Sequence, residues 1–226
     1  MQKLLYILIC CGVSHLFFAQ GWRSRITLPG SLNHITESVF PLPGNKYLVT
    51  GFSLEEMDGR QVNRLTVMGL DSIGQLEWVK KYGDTTLFYL NNVFVGRSFY
   101  RQGQHIYYAG CVRDSTNKQI GVLTKIAFNG DTVWQRIYRD PDPDEDVIPQ
   151  MVTGSVDGGF LITGFFQHWT QHYSRCLLIK TDAQGNELWR KKIGKVAPDV
   201  QDGKAIVQDS ASKKIVICGY QYVGQN

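Results

Sequence analysis

Charge is the first thing this sequence has little of. Only 19% of its 226 residues are charged, and 24 Lys and Arg against 20 Asp and Glu leave a net +4. So small an excess, scattered along the chain, excludes a nucleic-acid footprint. Cysteine is scarce too: Cys10 and Cys11 lie in the N-terminal apolar stretch, which leaves Cys111, Cys176 and Cys218. Three thiols allow one disulfide at most and exclude a disulfide scaffold. No segment carries convincing helical periodicity. Gly-x-Ser-x-Gly and Cys–His nucleophile signatures are absent, and the glycines mark strand turns rather than phosphate-binding loops. Disorder is excluded as well, because aromatics reach 12%.

Lys3 precedes an apolar run, Leu4 to Val13, then Leu16 to Ala19. A positive start, an apolar stretch and a small residue describe a secretory signal peptide over residues 1–20, cleaved after Ala19 or Gln20. The run is about 16 residues, short of the roughly 20 a membrane span needs. A lipid-modified Cys10 or Cys11 is the other alternative. The expected address is therefore outside the cytoplasm: secreted, periplasmic or at the cell surface, with no membrane span after signal removal.

A repeat of about 55 residues organises residues 21–226. Tyr47 to Phe52, Ile106 to Cys111, Phe160 to Phe165 and Ile215 to Tyr220 share one pattern, with Gly51, Gly110, Gly164 and Gly219 at its fifth position. Asp71 to Trp78, Ala127 to Trp134 and Asp182 to Trp189 share a second, each tryptophan four residues after a glycine. Each repeat holds four strand-like runs bounded by turn residues. In the second repeat they are Asn92 to Tyr100, His105 to Val112, Gly121 to Phe128 and Thr132 to Tyr138, the last two joined across Asn129-Gly130. Four antiparallel strands repeated radially make a β-propeller blade. The expected fold is all-β, with blades near residues 34–83, 91–138, 147–194 and, in part, 204–226. A β-solenoid is the rival, although its coils are usually shorter. The repeated glycines would admit a close neighbour. Trp78, Trp134 and Trp189 would lie buried in the outermost strands. About 3.5 repeats fall short of a closed ring of six to eight blades. The expectation is an open arc, either part of a longer protein or one that self-associates through its open edge.

Asp157-Gly158-Gly159-Phe160, Gly164, Leu178 to Asp182, Gly185-Asn186 and Leu188-Trp189 together resemble the repeats of exported bacterial propeller proteins. Many of those are cargo of the type IX secretion system. The Asp-x-x-Gly-x-x-x-Trp element also resembles the tryptophan motif of quinoprotein-type propellers. The resemblance implies a fold but no particular activity. The first repeat departs from it at Pro43-Gly44-Asn45, and the second has Ala127 in place of the aspartate.

The candidate ligand residues lie in loops that a blade would place on one face. Asp140, Asp142 and Asp144 alternate with Pro141 and Pro143. Such an oxygen-rich loop can hold calcium, or be a solvated acidic connection. His168, Trp169, His172 and Tyr173 form the only histidine cluster and read as an aromatic, polar contact surface rather than a zinc site. Trp169 has no repeat equivalent and is expected in solvent. No catalytic residue and no other cofactor is indicated. The functional expectation is a non-catalytic module that binds an extracellular protein or glycan. The alternative is the N-terminal part of a propeller enzyme, quinoprotein-like or a hydrolase, whose catalytic residues lie beyond residue 226.

Overall fold

The computed structural model describes residues 26–90, 98–114, 116–195 and 200–222. The signal-peptide reading of residues 1–20 falls outside them. Strand accounts for 68% of the structure and helix for 2%, so the fold is all-β.

Blade 1 is an antiparallel meander of β1 (Ser31–Leu42), β2 (Lys46–Met57), β3 (Arg60–Leu70) and β4 (Leu76–Tyr82). In blade 2, β5 (Phe88–Tyr89) and β6 (Phe99–Gln102) pair with the two ends of β7 (His105–Arg113); β8 (Gln119–Ala127) and β9 (Thr132–Tyr138) follow. Blade 3 comprises β10 (Glu145–Gly154), β11 (Phe160–His168), β12 (Tyr173–Thr181) and β13 (Glu187–Ile193). The fourth blade has two described strands, β14 (Val200–Gln208) and β15 (Ile215–Tyr222). One parallel bridge, Ser174 to Val200, ties β14 to β12. The blades form an open arc of propeller type. Each begins two to four residues earlier than the apolar runs indicate.

Successive first strands touch, β6 against β10 and β10 against β14, whereas the fourth strands diverge. That wedge shape curves the arc and puts the first strands on its inner side. Strands apolar on both faces then pack between neighbours. Leu48, Leu65 and Val67 meet Tyr108, Ile120 and Val122 between blades 1 and 2. Tyr107, Ala109 and Leu123 meet Val147, Phe160 and Leu177 between blades 2 and 3. Cys111 is buried, Cys176 is partly buried and Cys218 on β15 is exposed.

The repeated glycine serves a bulge. Gly51 lies opposite the register shift between Thr36 and Ser38, Gly164 opposite Pro149/Met151, and Gly219 opposite Gly203/Ala205. A Cβ on any of the three would penetrate the carbonyl oxygen of Ile35, Ile148 or Asp202. Only a residue without Cβ lets the bulged first strand come that close. On Gly110 the same atom would collide with the Tyr108 hydroxyl.

The second pattern serves the joint between blades. Gly74, Gly130 and Gly185 take φ of +79°, +82° and +78° in the turns between third and fourth strands. Asn129 is not left-handed, so the second hairpin is a type I turn closed by a glycine bulge, not the tight two-residue turn that Asn-Gly favours. Asp71 and Asp182 cap their turns by accepting backbone N–H groups two and four residues on. The Trp78 ring lies over Gly130 of the next blade, where an added Cβ would stand 2.8 Å from Cζ3. Lys80 pairs with Asp131, and the Tyr82 hydroxyl donates to the Gly130 carbonyl. One blade on, Trp134 covers Gly185, Arg136 Nε donates to Asn186 (3.1 Å) and Tyr138 donates to the Gly185 carbonyl (2.7 Å). Trp78 and Trp134 are accordingly half-buried, while Trp189 is 37% exposed. The expectation of three largely buried tryptophans is met only in part at Trp78 and Trp134 and fails at Trp189, over which no described turn lies.

Candidate functional site

The loops read as a ligand face do meet at one end of the arc. Glu145 pairs with His168 and Asp146 with Gln167, so residues 139–146 and 167–175 are adjacent. Lys118 of the β7–β8 turn donates to the Pro143 carbonyl. A groove of about 430 Å³ opens at the same end between blades 1 and 2, lined among others by Arg60, Thr86, Phe88, Asp114 and Asn117.

Beneath this surface the charges are paired. Glu145 is fully buried and accepts from Tyr173 (3.0 Å), Arg175 and Lys192. Burial alone would raise its pKa, but hydrogen bonds from Lys192 and Arg175 outweigh that and hold the carboxyl below its ordinary value. Asp140, buried as well, pairs with Lys192 (2.8 Å) and Arg190 (3.4 Å). The ladder registers put Arg64 and Lys81 of blade 1 in the slots of Arg175 and Lys192. There they grip Glu55. Blade 2 fills the slots with Ile120 and Ile137.

The predicted site residues divide on this platform. Asp140 is committed to its ion pairs, while Asp142 and Asp144 bring carboxylate oxygens within 4.8 Å of a His168 ring nitrogen. His168 Nδ1 accepts from the Gln171 N–H (3.3 Å), which leaves the proton on Nε2, 4.0 Å from Asp142. His168 and Tyr173 are buried, with rings 5.1 Å apart. Trp169 is 53% exposed and anchored by Nε1 donating to Asp146 (2.6 Å). His172 is exposed in the turn at φ +53°. The four residues are thus two supports and two presented rings.

A second feature has no counterpart in the sequence reading. The bulges place Glu37, Gln150 and Lys204 at one repeated position on the inner side of the arc; Arg97, at the same place in the repeat, lies outside the described residues. A bulge re-aims one side chain per strand. Lys204 donates to the Gln150 side chain (3.0 Å), and the Ser98 hydroxyl stands between the Gln150 carbonyl (3.5 Å) and the Glu37 carboxyl. The signal was a long polar residue 13 to 15 positions before each repeated glycine. Glu37 keeps one buried carboxyl oxygen without a hydrogen bond. Burial, opposed only by Ser98, pushes its pKa from 4.5 up to about 7. A carboxyl with a raised folded-state pKa stabilises the fold fully below its unfolded value and progressively less as pH rises through 7. Glu37→Gln should therefore flatten the fall in stability between pH 5 and pH 8 and be more stable than wild type at pH 8. Urea unfolding at the two pH values reads this, and an unchanged pH dependence would refute it.

No protein-family model and no curated protein matches the chain. Among the described residues, no helix is long and apolar enough to cross a membrane.

Proposed function

We propose that this chain is an exported, non-catalytic β-propeller module that binds an extracellular protein or glycan through the loop end of blades 2 and 3. The observation that carries the reading is the pairing of exposed Trp169 and His172 with a platform in which buried Glu145 is held by Tyr173, Arg175 and Lys192. A ring presented on a rigid base loses little conformational freedom on binding, which favours contact residues over mobile loop tips. Export rests on Lys3 and the apolar run to Ala19, and on the likeness of the repeats to secreted propeller cargo. The platform charges are spent on one another, which suits support rather than acid–base chemistry.

The test is a sensor surface carrying residues 21–226, exposed to a panel of extracellular polysaccharides and purified surface proteins. A specific ligand should lose at least about tenfold in affinity with Trp169→Ala plus His172→Ala, because truncating an aromatic anchor costs 1–2 kcal/mol or more. The melting temperature should stay unchanged. A ligand bound equally well by the double variant would contradict the assignment of this face.

A further inference from the structure

Two of the three tryptophan joints described above are filled and the third is open. Each filled joint has the same chemistry. A tryptophan covers a left-handed turn glycine, and a long basic residue two positions later reaches the Asp or Asn after that glycine. Arg136 lies 5.1 Å above the Trp134 ring. On β13 the donor half recurs: Lys191 stands 5.6 Å above the Trp189 ring, poised as Arg136 is. Trp189 is 37% and Ile193 42% exposed, and Lys191 is exposed. In the next blade, β15 pairs with no described strand but β14. Val216 and Tyr220 on β15 are more than half exposed. An unpaired edge next to an open aromatic face is a template for added strands.

We infer that Trp189, Lys191 and the edge of β15 that no described strand pairs form a docking surface for a β-hairpin whose turn carries a left-handed glycine followed by Asp or Asn. The occupant's inner strand adds to β15, its turn glycine sits under the Trp189 ring, and its acidic or amide side chain meets Lys191. Charge and shape both follow from the first joint, where Trp78 and Lys80 hold Gly130 and Asp131; Trp189 and Lys191 repeat those donors in type and spacing. Ile193 replaces Tyr82, so the glycine carbonyl loses a hydrogen bond and the contact there is apolar. A second copy of the chain is not the occupant. Its Gly130 and Gly185 are already covered by Trp78 and Trp134, and its Gly74 is buried. This surface is separate from the loop end, so it stands whether or not Trp169 binds a ligand.

The test uses residues 21–226 and a synthetic hairpin of residues 119–138, held closed by a disulfide between added terminal cysteines. The readout is the indole N–H resonance of Trp189, assigned with Trp189→Phe. The hairpin should shift it saturably. A Gly130→Ala hairpin should bind about a hundredfold more weakly, since a methyl group would displace the ring that covers the turn. An Asp131→Ala hairpin should bind several-fold more weakly. Equal binding of the Gly130→Ala hairpin, no binding of the parent hairpin, or saturation that leaves the Trp189 resonance unmoved would each overturn the inference. So would a dimer seen by light scattering without peptide in which the Trp189 resonance is already shifted, which would make a second copy the occupant.

Discussion

Gly164→Ala should cost more than about 4 kcal/mol, in the tail that single substitutions seldom reach. The new methyl would penetrate the Ile148 carbonyl oxygen and come within 2.9 Å of Gln150 N and Pro149 Cα. All three are backbone atoms of β10, which cannot swing aside as a side chain can. The bulge between Pro149 and Met151 would have to unwind. Because β10 is packed between β7, β8 and β14, the displacement would spread into both interfaces. Gly219→Ala meets the same obstacle at Asp202, but β15 is exposed and can move outward, so its loss should be smaller. Gly103→Ala is the control. It has open space and φ +60°, so only the left-handed penalty of about 1–2 kcal/mol applies. Chemical denaturation of the three variants separates the cases. A Gly164→Ala loss no greater than that of Gly103→Ala would mean that the bulge tolerates a side chain.

The strands, their antiparallel order and the two glycine patterns were legible in the sequence because each answers a constraint repeated in every blade. Gly51, Gly164 and Gly219 face the same bulged carbonyl, and Gly130 and Gly185 face the same ring, so the residue type recurs with the period. Glu37, Gln150 and Lys204 were not legible. A bulge inserts one residue and breaks the alternation that marks a strand face, and the inserted residue differs from blade to blade. Burial at Trp189 was misjudged for another reason. Periodicity reports a position within a repeat, but exposure depends on the neighbouring blade. The loop end was legible as a place and not as a division of labour. Residues 168–173 run as two rings, two polar side chains and two rings, a pattern that does not say which ones turn inward. His168 and Tyr173 are held down by the strand ends of β11 and β12, and Trp169 and His172 occupy the turn between them.

In each filled joint one tryptophan locks its blade to the next. Trp134 covers Gly185, with contacts that an added Cβ would bring to 2.7 Å, and it packs on Tyr107 with ring centroids 6.0 Å apart. Trp189 occupies the same slot of the repeat with no described turn above it. Trp134→Ala should therefore remove about 3 kcal/mol, the lower end of the range for core Trp truncation. Trp189→Ala in the same chain should remove less than about 1 kcal/mol, as surface substitutions do. The measurement is urea unfolding of residues 21–226 and the two variants, followed by far-ultraviolet circular dichroism so that the missing indoles do not distort the signal. A loss at Trp134 several times that at Trp189 is the predicted result. Equal losses, or a larger loss at Trp189, would contradict the joint between blades and with it the arc built from it.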